Sequence, residues 1–137
     1  MGETALALIL CGLLLDGKTE VAHEYSAAGE DFSIRTDCET ETTVYEVGLD
    51  KRSSIDSVHQ AIFAAYLTDK SPAVVMIDTD GIEDRYELQV RKVAEALGVA
   101  YDVYDKDFLI RWQMTDYLRN YPAPEPSVRE LSELAID

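Results

Sequence analysis

Residues 73–77 read Ala-Val-Val-Met-Ile, an unbroken apolar run that ends in Asp78-Thr79-Asp80-Gly81. A strand with one face in water alternates apolar and polar positions, so a run without alternation marks a strand buried on both faces. Such a strand belongs inside a parallel sheet with helices above and below. The flanking sequence supplies those helices. Before the run, Ile55, Val58, Ile62 and Tyr66 recur every three or four residues, with Ser53 or Ser54 placed to cap and Pro72 closing the connection. After it, Tyr86, Val90, Val93, Ala94 and Leu97 repeat the pattern up to Gly98, and residues 99–104 form a last strand.

Upstream, residues 4–15 predict an apolar helix stopped by Asp16-Gly17. Residues 20–25, 32–38 and 42–49 predict three strands, the first two joined by a turn at 28–31. Residues 107–119 predict a further helix. Pro122, Pro124 and Pro126 stiffen a linker, and Ser127-Val128-Arg129-Glu130 is a capping-box start for a short terminal helix. The expected fold class is therefore α/β, with element order αβββαβαβ plus C-terminal helices: an antiparallel meander feeding a helical crossover into a mixed sheet. One domain at 1–121, followed by a linker and helix at 122–137, accounts for all 137 residues.

Charge constrains what this domain can bind. With 27 acidic and 12 basic side chains the net charge is −15, which opposes non-specific attachment to phosphate polymers and anionic membranes. A nucleic-acid role must then work through a local patch or a bound cation. The acidity also suits a basic protein partner or a high-salt setting. The two cysteines, Cys11 and Cys38, have no CxxC or histidine spacing that would hold zinc, and the expectation is inert, reduced thiols. The apolar stretch 5–15 is short of the roughly 20 residues needed to span a bilayer and has no Lys or Arg before it, so a cytoplasmic protein is expected.

The residues that promise chemistry lie on the second and third strands. Alternation puts Ser33, Arg35 and Asp37 on one face of the second, and Val44, Glu46 and Gly48 on one face of the third. Paired as a hairpin, the two strands bring Asp37 and Glu46 together as hard oxygen ligands for a divalent cation, with the backbone carbonyl of Val47 as a further ligand. Carboxylates that merely keep a strand soluble are the plain alternative.

Arg35-Thr36-Asp37 followed by Tyr45-Glu46-Val47-Gly48 resembles the PD-(D/E)XK motif of the restriction-endonuclease-like nucleases. There an aspartate on one strand precedes E-x-K on the next. The helix carrying Glu3, the His23-Glu24 strand, the helix after the motif and the buried strand follow that family's order over about residues 3–104. Gln60 resembles the glutamine that RecB-like members place on the following helix. The resemblance implies a restriction-endonuclease-like mixed sheet and a Mg²⁺- or Mn²⁺-dependent phosphodiesterase acting on DNA. Asp37 and Glu46 would be its metal ligands, Gln60 their support, and Arg35 and Arg52 its substrate contacts. Where the family has its catalytic lysine, this chain has Gly48; Lys51, just beyond, is the expected displaced charge donor. A non-catalytic interaction or assembly module on the same fold is the alternative.

Asp78-Thr79-Asp80-Gly81, with Glu46 upstream, also resembles the glutamate and D-x-D of a Toprim domain, and more weakly the first motif of haloacid-dehalogenase phosphatases. The plain reading of the two aspartates is capping and solvation of a tight turn. His23 and His59 have no serine or cysteine nucleophile pattern beside them and are read as structural. Phe108, Leu109, Trp112, Leu118, Leu131 and Leu134 give the C-terminal helices more apolar surface than one sheet edge needs, which points to a homodimer, with the tail folding back to cap a sheet edge as the alternative.

Overall fold

The computed structural model describes residues 1–122. The Pro-rich linker beyond them and the helix expected from Ser127 lie outside the described residues. Five strands form one mixed sheet in the order β1-β2-β3-β4-β5. The strands are β1 (Lys18–Ala27), β2 (Glu30–Glu39), β3 (Thr43–Leu49), β4 (Ser71–Asp78) and β5 (Ala100–Asp105). The first three pair antiparallel, and β3-β4 and β4-β5 pair parallel. Helices α1 (Glu3–Ile9), α2 (Ser57–Thr68), α3 (Arg85–Leu97), α4 (Lys106–Met114) and α5 (Asp116–Asn120) flank it. The chain is thus an α/β protein with helices on a mixed sheet, and the observed element order is the expected one.

Strand β4 explains why the sheet has two covered faces. Val75 and Ile77 pack with Val47, Leu49, Leu6, Ile9, Leu10 and Leu109, on the side of α1 and α4. Val74 and Met76 pack with Val58, Ala61, Val90, Ala94 and Val99, on the side of α2 and α3. Each of these β4 side chains is at most 2% exposed, and burial of one such side chain stabilises the fold by roughly 1.5–3 kcal/mol.

The hairpin β1-β2 turns at Ala28-Gly29, both at positive φ (52° and 77°), as a two-residue turn matched to strand twist requires. Its ladder is interrupted once. Thr19 pairs with Cys38 and Val21 with Thr36, but Glu20 and Asp37 do not pair, and Glu20 has φ 50°. The β2-β3 ladder is short, with Cys38 opposite Tyr45 and Glu39 opposite Val44. Asp37 therefore sits in the one gap of the β1 ladder and one residue past the end of the β3 ladder.

Several expectations need correction. Cys11 and Cys38 are joined by a disulfide, Cα–Cα 5.5 Å, and neither thiol is free. The cause lies in the first helix, which ends at Ile9 and widens into a π-helical turn, Leu10–Leu14, that carries Cys11 against β2. Gly17 completes the approach, because a Cβ there would lie 2.5 Å from the Cys38 sulfur and 2.9 Å from the Glu39 carbonyl oxygen.

The helix expected over 54–67 begins as a 3-10 turn, Arg52–Asp56, and α2 starts at Ser57. Neither Ser53 nor Ser54 caps it; the Ser54 hydroxyl donates to the Leu49 carbonyl instead. Its buried face is Ser57, Val58, Ala61 and Ala64, whereas Ile55, Ile62 and Tyr66 are exposed. Small residues let the helix axis approach the sheet, and that phase turns the large ones outward. In α3, Val90 and Ala94 are buried as expected but Val93 and Leu97 are exposed, and Glu87 is buried beside them. The helix expected over 107–119 breaks at Thr115, whose hydroxyl donates back to the Arg111 carbonyl.

No helix among the described residues is long and apolar enough to cross a membrane.

Candidate metal site at the opening of strands β2 and β3

Asp37 and Glu46 converge. Once the ladder ends at Cys38-Tyr45, the Asp37 side chain replaces the next backbone partner. Its Oδ2 accepts the Val47 N–H at 2.7 Å. That bond fixes one carboxylate oxygen and leaves the other for a ligand. Glu46 is 7% exposed and hydrogen-bonds to Asp37. Burial, reinforced by the charge of Asp37 and by that bond, pushes its carboxyl up to about 9. At neutral pH the pair therefore holds a proton, the usual solution when two carboxylates share a site without a cation between them. A divalent cation would relieve the same repulsion, and two hard carboxylates suit Mg²⁺ or Mn²⁺.

The pair opens into a cleft of about 790 Å³ between the β1-β2 hairpin and α2. Arg35, Val47 and Gln60 line it with Asp37 and Glu46. Lys51 and Arg52 do not line it; both are exposed residues at the start of the 3-10 turn. The cleft also holds residues that pattern reading passed over. Glu3, from the first turn of α1, brings a third carboxylate, and His59 lies beside Gln60 on the exposed side of α2. Tyr25 meets Phe63 edge-on, with ring centroids 5.0 Å apart, and both rings line the cleft. The phase of α2 was the signal that could have found His59: with Val58 and Ala61 inward, positions 59 and 60 face out together. His23 is structural as expected, paired with Glu39.

Gly48 is closed to any larger residue. A Cβ there would lie 2.8 Å from the Ser54 Cβ and 3.3 Å from the Ser57 hydroxyl, and closer still to the Ser54 hydroxyl. The 3-10 turn and α2 thus occupy the space that a side chain at this position would need.

Glu46 does not join Asp78 and Asp80. It lies in register with Val74, four residues before Asp78, or about 13 Å along the strand. The turn reading of these aspartates holds: Asp78 Oδ1 accepts the N–H groups of Asp80 and Gly81, and Asp80 Oδ1 that of Ile82.

Compared with known proteins, the chain matches no family model, no curated protein sequence and no solved structure.

Proposed function

We propose that the chain is a divalent-metal-dependent phosphodiesterase acting on DNA, built on a restriction-endonuclease-like sheet. The observation that carries the reading is the Asp37–Glu46 pair, half-enclosed at the end of a broken ladder and opening into a cleft. Connectivity supports it too: a meander of three antiparallel strands, a helical crossover, and two parallel strands.

A Mg²⁺ or Mn²⁺ ion bound there would supply a Lewis acid and an activated water. The protein's own groups do the rest. Val47 N–H orients Asp37, and Glu46 releases its proton to become a ligand. Arg35 offers a guanidinium for a phosphate oxygen, and Gln60 a neutral amide. A local cation is also what lets a chain of charge −15 approach a polyanion. His59 lines the cleft as an ionisable group, whereas Lys51 does not.

Gly48 favours a second reading, a non-catalytic interaction module on the same fold, because the space for a motif lysine is filled by Ser54 and Ser57. Such a module would meet a basic protein through its acidic surface. The Toprim-like alternative is left without its glutamate, since Glu46 belongs to the other cluster. Incubation with linear duplex and single-stranded DNA plus Mn²⁺ separates the readings. The enzyme cleaves, and Asp37→Ala or Glu46→Ala abolishes cleavage; cleavage that survives both substitutions removes the site, and no cleavage by wild type leaves the module.

Assembly as a homodimer through α4 and α5 belongs to the same proposal, resting on exposed Phe108, Met114, Tyr117 and Leu118; of the set expected from the sequence, Leu109 is buried in the core and Trp112 is half-buried. Leu131 and Leu134 lie outside the described residues. A cytoplasmic setting requires the Cys11–Cys38 bridge to persist among cellular thiols, which its sulfurs favour by being wholly buried.

A further inference from the structure

The cleft that holds Asp37 and Glu46 has an aromatic wall built by two elements. On the hairpin, Tyr25 of β1 lies opposite Phe32 of β2, and their rings stack at 5.6 Å between centroids with 27° between planes. On α2, Phe63 and Tyr66 stand three residues apart on one side of the helix and stack at 6.4 Å and 20°. Tyr25 meets Phe63 at 85°, which joins the two stacked pairs into a corner. Tyr25 and Phe63 line the cleft together with Asp37, Glu46 and Arg35. Phe32 and Tyr66 carry the corner outward and are 42% and 80% exposed.

None of the four rings belongs to either hydrophobic core. They meet one another and water, and an aromatic face left in water is free to take a further flat group. The rest of the cleft says which one. Asp37 and Glu46 are placed for the cation that meets a phosphodiester, and Arg35 offers a guanidinium to a phosphate oxygen, so a ligand with flat groups strung along phosphates fits both ends. Bases inside a duplex have their faces covered by their neighbours, whereas unpaired bases present theirs to aromatic side chains. Stacking is also a contact open to a chain of charge −15. It draws on ring faces rather than on lysines, and among the described residues no lysine lines the cleft.

We propose that the corner made by Tyr25, Phe32, Phe63 and Tyr66 is a base-stacking platform, and that the substrate class of the site is single-stranded DNA. Its unpaired bases lie on these rings while its backbone passes the Asp37–Glu46 pair. Naming the ligand as DNA rests on the phosphodiesterase reading; the open ring faces do not.

Fluorescence anisotropy of a labelled oligothymidylate with the full chain tests the platform, in EDTA so that no cation takes part and at physiological salt, which screens the charge of the chain. A strand of equal length made of abasic nucleotides, and a duplex of that length, are the comparisons. The expected result is that oligothymidylate binds at least tenfold more tightly than either. Tyr66→Ala, at an exposed position that leaves folding intact, should weaken oligothymidylate about tenfold, as loss of one stacked base does, and leave the abasic strand unchanged. Tyr66→Phe, which keeps the ring, should bind as wild type does. Undetectable binding of oligothymidylate, equal binding of the abasic strand, tighter binding of duplex, or a Tyr66→Ala protein equal to wild type overturns the proposal. So does light scattering in which Tyr66→Ala dissociates a dimer, which makes the corner an interface between two copies. Added Mn²⁺ separates this from the phosphodiesterase reading. Base-dependent binding without cleavage removes the enzyme and keeps the platform, and cleavage of duplex without base-dependent binding does the reverse.

Discussion

Glu46→Gln should make the protein more stable at neutral pH, and the gain should grow with pH. The carboxyl titrates near 9 in the folded chain, against an ordinary value of 4.5, because it is buried beside Asp37. Between those two values the folded state holds a proton that the unfolded chain has released. Stability from this group is thus complete below pH 4.5 and falls as pH rises towards 9. At 1.36 kcal/mol per pH unit, the loss by pH 7 is on the order of 3 kcal/mol. Glutamine keeps the shape and a donor towards Asp37 but has no proton to lose. Urea denaturation of both proteins at pH 5, 7 and 8.5 in EDTA measures the difference. Near-equal stability at pH 5 and a variant more stable at pH 7 are expected. A difference that does not change with pH would refute the reasoning, since other titrating groups cancel between the two proteins.

Other outcomes follow from the packing. Gly48→Ala should destabilise by about 1–3 kcal/mol, the usual cost of overpacking, because Ser54 and Ser57 already fill the space; an unchanged urea midpoint would show that the 3-10 turn yields freely. Reducing the Cys11–Cys38 bridge, which closes a separation of 27 residues, should lower stability by about 3–4 kcal/mol in the chain-entropy account, read as a shift in urea midpoint with and without reductant. Light scattering should find a dimer at micromolar concentration. A chain ending at Tyr121 should then keep it if α4 and α5 form the interface, and a monomeric full chain would remove the assembly.

What could be read from the sequence, and what could not, divides along local and long-range information. The strand at 74–77 announced itself because burial on both faces leaves no polar position, and its side chains do divide between two cores. Asp37 and Glu46 were legible because antiparallel neighbours meet by simple register, although the interruption opposite Glu20 that frees Asp37 was not. The Cys11–Cys38 bridge depends on a π-helical turn and on Gly17 clearing space, neither of which spacing reveals. Reading the largest apolar residues of α2 as its buried face misplaced it, since Ala61 and Ala64 turn inward, and His59 was lost with that phase. Glu87 was invisible for a similar reason: at the start of an amphipathic helix a glutamate reads as a dipole partner in solvent, yet here it is sealed.

The proposed enzyme needs Asp37 and Glu46 as joint ligands of one cation, and proton release on Mn²⁺ binding tests that most directly. Glu46 must give up its proton to coordinate, because its carboxyl, held near 9, is protonated at pH 7.5. Calorimetry at that pH in buffers of different ionisation enthalpy counts protons displaced per cation. Wild type should release about one proton more than Glu46→Gln protein as Mn²⁺ saturates. Equal proton release by the two proteins, or Mn²⁺ binding that Asp37→Ala and Glu46→Gln leave unchanged, would contradict it.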